Sequence, residues 1–469
     1  MKSHSLSELK SRLHITPSSE EEANILIQSI SLDSRHVTPS TLFIALKGER
    51  VDSHRFVKDL IESRACAAAL VEEPLSVQAD LQHRLIQVPN TLDAFRELMH
   101  QDLLQHPARR LVVAGSVGKT SSKEMLRALL KGRFTHILAT EGSENGFIGI
   151  PKTLTKLNDT TEVILLEVGI DEPGAMQAHL KLIEPHAGLL TAIGPEHLEK
   201  LGTLERVSEE ERELFRVLKH SHGVRIVNLD DPLLASEMDT EDALVWGFTL
   251  DPARRFASER ILLGQISEST GLLDVFHADH LFGSFKCPLP GIHQARNLLG
   301  AITLLKAVFD FSAEETASGL SFFQGAKGRT EVHPSSTTKA TWFLDHYNAS
   351  PESMQAALQT LTQLAQNARI HLVLGDMLEL GGNELDFHRA LAPAIQALPN
   401  RASVLLYGPR MKALAQALGT TPHLHTETSH EALASELRAQ LQPGDWILLK
   451  GSRGMKMERI FELIEGKAP

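Results

Sequence analysis

A chain of 469 residues has room for about three domains at roughly 100 to 200 residues each, which excludes a small binding module. Hydrophobic residues make up 42 %, charged residues 23 %, and mean hydropathy is -0.11, a globular balance that excludes a disordered or fibrous chain. The 47 Lys and Arg against 59 Asp and Glu leave a net charge of -12, so there is no basic surplus for nucleic acid, and an anionic ligand must meet a local cationic site.

The N-terminus MKSHSLSELKSRLHI lacks the apolar core of an export signal, and no run of about 18 apolar residues follows. Residues 1 to about 88 mix short strand-like runs (Thr41 to Leu46, Ala67 to Val71, Leu85 to Val88) with a helical stretch from Ser53 to Arg64. Cys66, in this zone, and Cys287 lie too far apart to suggest a disulfide framework or metal-ligand spacing, which points to a reducing cytoplasm; the missing apolar run points to no membrane span.

From about 107 the pattern is strand, Gly-rich turn, helix, repeated: LVVAGS then KTSSKEMLRALL, VILLEVG then PGAMQAHLKLI, GLLTAIG then a charged helix near 204 to 219, and VRIVNLDD. Such alternation predicts a mostly parallel sheet with helices on its faces. Residues 256 to 290 break the rhythm as an expected antiparallel edge, and GIHQARNLLGAITLLKAVF reads as a helix. After GAKGRTEV a second alternation begins: TWFLDHY, a helix from Pro351 to Ala365, IHLVLGD, a helix near 384 to 397, SVLLYG, WILLKG and a last helix. This predicts a doubly wound C-terminal domain.

Three features carry chemistry. Gly115, Ser116, Val117, Gly118, Lys119, Thr120 and Ser121 follow a strand and open a helix. Small residues admit phosphate to the backbone, the helix N-terminus aims N–H groups at it, Lys119 reaches its oxygens and Thr120 suits Mg²⁺. The alternative is a structural βα turn, and Val113 stands where the longer phosphate loop has its first Gly. Glu167 and His197 fall at or just past strand ends, where an open α/β sheet binds ligands. Alone, each reads as a solvated or capping side chain; with Lys119 and Thr120 they suit a Mg²⁺-nucleotide site. Third, the clusters at Gly328 to Glu331, Asp345 to Pro351 and Lys450 to Arg453 read as turn chemistry or as an Arg for phosphate and an Asp for ribose, and Asp33 to Arg35 and Asp52 to His54 read as ordinary loops and caps.

In combination these strings resemble the Mur ligase family over nearly the whole chain: DSR followed by LFIALKGERVDSHRFV, AGSVGKTSSKE, TEGSENGFIGIPKTL, LEVG, TAIGPEHLEKLG, GIHQARNLLGAI, GRTEV, LDHYNASPESM, LGDMLELG and LLKGSRGMKME. The resemblance implies a three-domain α/β ligase: residues 1–88 for a UDP-sugar peptide, 89–326 a central P-loop-type, mostly parallel ATPase domain, and 327–469 a Rossmann-like domain. DHYNASPESM and GDMLELGGNELDFH resemble the branch that adds a dipeptide. That branch implies UDP-MurNAc-tripeptide, D-Ala-D-Ala and ATP as substrates, Mg²⁺ as cofactor, an acyl phosphate, a monomer and domain closure. Carried over, Gly115 to Ser121 hold the triphosphate, Thr120 and Glu167 serve one Mg²⁺ and His197 a second. Asn297 meets adenine, Arg329 a phosphate and Asp345 the ribose, while Ser34, Arg35, Asp52 and His54 face the UDP-sugar.

Four positions depart from the family pattern. Val117 replaces a small or amide residue, Gln294 replaces an Asn, and an Asn-rich string is thinned to Asn145. The fourth is Glu211, in VSEEERELF, where the resemblance implies a carbamylated lysine. Glu211 as an encoded substitute for that anion, acting directly or through a metal-bound water, competes with a solvated helix face. Other ATP-dependent amide ligases of this architecture, such as another Mur ligase or a folylpolyglutamate synthase, are the alternative assignment; the first zone with its DSR string argues against the folate enzymes. A nucleotide switch is disfavoured because no Asn-Lys-x-Asp string is present.

Overall fold

A computed structural model of the chain describes residues 3–48, 51–254, 258–267, 270–278, 280–419, 424–427 and 429–466. Two compact units emerge: Met1–Leu111 with Thr135–Leu166 and Ala178–Pro185, and Val112–Phe134 with Glu167–Gln177 and His186–Pro469.

In the first unit, Ser29–Ser31, Thr41–Ile44, Ala68–Val71 and Leu85–Gln87 form a four-stranded parallel sheet in that order. Its core includes Phe43, Val57, Ile61, Cys66, Ala69 and Leu81. The expected Ser53 to Arg64 helix is shorter: a 3₁₀ turn over Ser53–Phe56 leads into Val57–Glu62. The helix Thr91–Leu104, capped by the Asn90 side chain, has no counterpart among the expected elements. Its Arg96 donates to the carbonyls of Phe147 at 3.0 Å and Ala178 at 2.8 Å.

His179 is fully buried in this unit, its ring 4.6 Å from that of Phe147, and neither ring nitrogen has a hydrogen-bond partner among the described residues. Burial, assisted by Arg96, lowers its pKa to about 3. A base neutral in the fold and protonated in the unfolded chain costs stability as pH falls below its unfolded value near 6.5. Going from pH 7 to pH 5, this group alone removes about 2 kcal/mol. Denaturant unfolding at both pH values should show a smaller loss for His179→Leu than for wild type.

The second unit contains the predicted alternation. Ala187–Leu190, Val224–Asn228, Val245–Thr249 and Ile261–Ser267 pair in parallel. Leu272–His277 and His280–Lys286 continue antiparallel, giving the expected edge; residues 256, 257, 268, 269 and 279 of that stretch lie outside the described ones. The helix Ile292–Phe309 buries Leu298, Leu299, Ile302 and Leu305.

The second alternation builds a six-stranded sheet in the order Glu331–Pro334, Thr341–Leu344, Trp446–Lys450, Ile370–Gly375, Arg401–Tyr407, Leu424–Glu427. Only the first pair is antiparallel. One apolar cluster packs helices Pro351–Ala365 and Met411–Leu418 against the sheet, and a second packs His430–Gln440 and Glu458–Glu465. Helices on both faces make it doubly wound. The helix expected near 384 to 397 is two, Glu384–Arg389 and Ala392–Gln396. Pro393 at the second helix's start fits the break, since proline is tolerated in a first turn and not in an interior.

Candidate active site

The strand Arg109–Ala114 ends in a turn from which the helix Lys119–Leu130 starts. Near its end, Val113 accepts a hydrogen bond from Val168 N–H at 2.9 Å, and Ala114 accepts one from Thr191 N–H at 3.0 Å. Three strand ends are thereby brought together, the arrangement that places ligands in open α/β sheets.

Glycine is required twice in this turn. Gly115 has φ +118°, and a Cβ there would lie 2.4 Å from Thr191 Oγ1 and 2.9 Å from Thr191 N. Gly118 has φ +95°, and its Cβ would lie 2.6 Å from Asn297 Oδ1. Ser116 N–H donates to Ala192 O at 2.7 Å, while the Ser116 hydroxyl is shielded from water without a hydrogen-bond partner among the described residues. A buried hydroxyl left in that state costs free energy that a phosphate oxygen relieves.

Lys119 Nζ donates to Gly115 O and, at 3.3 Å each, to Ser116 O and Glu196 Oε2. Burial works against its charge, but Glu196 first, then Glu211 and Glu167, raise its pKa above the ordinary lysine value. It therefore stays cationic at any physiological pH. Thr120 Oγ1 donates to Glu167 Oε1 at 3.1 Å, both residues being buried. A hydroxyl and a carboxylate are hard oxygen donors of the type Mg²⁺ takes, the remaining positions being water or substrate phosphate. No group of three or more His, Cys, Asp or Glu among the described residues is arranged to hold a metal.

Three adjacent glutamates on the helix Leu204–His220 do different things. Glu209 is exposed. Glu210 accepts the N–H groups of Gly174 at 3.1 Å and Met176 at 2.9 Å. Glu211 has 0 % exposure, which excludes the solvated-face reading, and its Oε2 accepts Gly115 N–H at 2.8 Å.

The remaining candidates are placed as follows. His197, in the left-handed region at φ 50°, sets Nδ1 2.6 Å from Glu379 Oε2. Asn297 Nδ2 donates to Gln294 Oε1 at 3.1 Å, and Gln294 Nε2 in turn donates to Thr330 Oγ1 at 3.0 Å. The Arg329 guanidinium lies 4.3 Å from the Tyr347 ring centre. Asp345 Oδ2 is 2.6 Å from Lys450 Nζ, and Oδ1 accepts Thr330 N–H at 3.1 Å. Burial opposes its ionisation, yet Lys450 holds the Asp345 carboxyl below the usual range. Val117 is half-buried in the turn, and Ser121 is buried in the first turn of the helix.

Candidates in the first unit have local partners. Arg35 pairs with Asp33 at 2.6 Å with Ser34 between them. Asp52 caps its turn by accepting from His54 N–H, and His54 Nε2 accepts Glu72 N–H at 3.1 Å. Asn145 lies in the turn before the helix Gly149–Leu154. Sequence reasoning passed over Glu196, the anion beside Lys119, although its place just past a strand end was the available signal. It also left Lys450 without its partner Asp345.

A glycine-pinned turn feeding a Lys-Thr helix start, with a neighbouring strand's carboxylate on that threonine, defines a phosphate-loop nucleotide-binding protein. Three profiles match the chain: "Mur ligase family, catalytic domain" over residues 26–102, "Mur ligase middle domain" over 113–305 and "Mur ligase, glutamate ligase domain" over 328–453. Among curated proteins, the chain is 32 % identical over 447 residues to the UDP-N-acetylmuramoyl-tripeptide–D-alanyl-D-alanine ligase of Bacillus subtilis (strain 168), covering 94 % of each. It is 32 % identical over 454 residues to the Escherichia coli (strain K12) ligase of that name, covering 94 % of this chain and 95 % of the relative. Among solved structures, MurF from Acinetobacter baumannii superposes with TM-score 0.85 at 25 % identity over 100 % of both chains. The chain belongs to the Mur ligase family. It has that family's three-domain α/β architecture and is an ATP-dependent ligase that forms a C–N bond.

Proposed function

We propose that this ligase joins D-alanyl-D-alanine to UDP-N-acetylmuramoyl-tripeptide, consuming ATP and giving ADP, phosphate and the pentapeptide precursor of peptidoglycan. Similarity over 94 % of the chain to ligases bearing that name carries the reading. The Thermotoga maritima MurF ligase, solved in complex with ADP, shares the fold with TM-score 0.79 at 24 % identity. Folylpolyglutamate synthase from Mycobacterium tuberculosis shares it with TM-score 0.57, covering 81 % of this chain.

The chemistry follows from the substrates. A carboxylate resists amines at neutral pH, so it first attacks the γ-phosphorus of ATP and ADP leaves; the amine then attacks the acyl carbon of the resulting acyl phosphate, and inorganic phosphate and a proton depart as the amide forms. Turn residues Gly115 to Ser121 hold the phosphates, and Lys119 supplies positive charge where it builds up during transfer. Thr120 and Glu167 would hold one Mg²⁺ and His197 would serve a second; such ions would supply positive charge against the phosphates. Asn297 serves adenine, Asp345 the ribose and Arg329 a phosphate; Ser34, Arg35, Asp52, His54 and Asn145 serve the sugar-peptide. We assign 1–88, 89–326 and 327–469 as the three ligand-handling domains of a cytoplasmic monomer. No helix among the described residues is long and apolar enough to cross a membrane.

Mass analysis of the product tests the reading: it gains one dipeptide less one water. Thr120→Ala should raise the Mg²⁺ concentration for half-maximal turnover by about tenfold, measured in a metal titration. Because position 211 carries Glu, with no side-chain amine to carbamylate, added bicarbonate should leave the rate unchanged.

A further inference from the structure

Glu211 occupies a position at which an acidic side chain is costly. The buried residues of its helix are Val207, Ser208, Glu211, Leu214, Phe215 and Leu218, so the carboxyl projects from the middle of an otherwise mostly apolar stripe. One oxygen accepts Gly115 N–H at 2.8 Å; the other, Oε1, is buried without a hydrogen-bond acceptance among the described residues. Such a group persists only where it secures something. What it secures is the first residue of the phosphate turn. Gly115 is held on its other side by Thr191, whose N–H and hydroxyl both donate to Ala114 O, at 3.0 and 3.1 Å.

Resting on the nucleotide-binding reading of this turn, we propose that Glu211 is a positioning residue: it clamps Gly115 N–H from beneath and thereby fixes the turn, together with the Lys119–Glu196 pair, in the shape that receives the nucleotide phosphates. It acts through the turn and not as a metal ligand. The role needs an acceptor oxygen, not a net charge. Burial pushes the Glu211 carboxyl up to about 8; Lys119 draws it back only in part and Glu196 adds to the rise.

The test separates the hydrogen bond from charge and from packing. Glu211→Gln keeps an acceptor and an amide donor; Glu211→Met fills the same space with neither. ADP binding is measured by calorimetry on the full chain with Mg²⁺, alongside thermal unfolding. Glu211→Met should fold at or above the wild-type Tm, since a buried carboxyl gives way to an apolar side chain, yet bind ADP about tenfold more weakly because Gly115 N–H loses its partner. Glu211→Gln should bind within about threefold of wild type, the span of a hydrogen bond retained but altered. Wild-type affinity in Glu211→Met overturns the proposal, as does a loss in Glu211→Gln equal to that in Glu211→Met, which would mark a requirement for charge. Absence of ADP binding in wild type would instead remove the reading of the turn on which the proposal rests.

Discussion

Lys119→Ala should lower kcat by about 10³-fold, the scale seen when a preorganised charge on a transferring phosphoryl group is removed. Two effects add. The cation that faces the phosphates is lost, and Glu196, 3.3 Å from Nζ, is left uncompensated beside a polyanionic substrate. Steady-state kinetics against ATP should show kcat and kcat/KM falling together, since much of the interaction belongs to the transition state. Lys119→Arg should restore little, because a planar, longer guanidinium does not fit a pocket in which Nζ already touches two carbonyls and a carboxylate.

The second large effect is steric. In Gly115→Ala the new methyl sits 2.4 Å from Thr191 Oγ1 and against backbone at Thr191 N and Ala192 O, 2.9 and 3.0 Å away, in a φ that disfavours side chains. Neither strand end can move without breaking the hydrogen bonds that hold the turn. The variant should lose about 2 to 4 kcal/mol of stability, within the range for overpacking combined with backbone strain. It should also lose ADP binding by more than about 10²-fold, because the turn itself is the binding site. Gly382→Ala, where a Cβ meets nothing within 4 Å, is the control and should match wild type in both. Calorimetry and denaturant unfolding check the pair.

The contrast between these positions shows what the sequence can and cannot display. The turn was legible because its chemistry is local: a strand, two glycines, Lys119 and Thr120 within a dozen residues. The two alternating zones were legible for a similar reason, since helical and strand periodicities are written in neighbouring residues. Glu211 was half legible. Its string was noticed as a departure, and the spacing of Val207, Leu214, Phe215 and Leu218 already set it on the apolar stripe, though its acceptance of Gly115 N–H spans 96 positions. The Asp345–Lys450 pair was not legible. It arises because the parallel strands Thr341–Leu344 and Trp446–Lys450 align Leu344 with Leu449, so the next residues emerge side by side. Strand order is a property of topology, and no local pattern announces it. His197 illustrates the same limit: it was singled out by its strand-end position, while the Glu379 that accepts it is 182 residues away in sequence terms and lies in the other alternating zone. Asp52 and His54 show the converse, where residues singled out by a resemblance already have local partners, one capping a turn and the other accepting a backbone N–H.

The most direct test of the account is phosphate release from ATP by the wild-type chain, followed with UDP-MurNAc-tripeptide and D-alanyl-D-alanine supplied separately and together. The account predicts sustained release only when both are present, in step with formation of the pentapeptide product. Release that instead follows a folate substrate or a single free amino acid, with none from the tripeptide and dipeptide together, would contradict it.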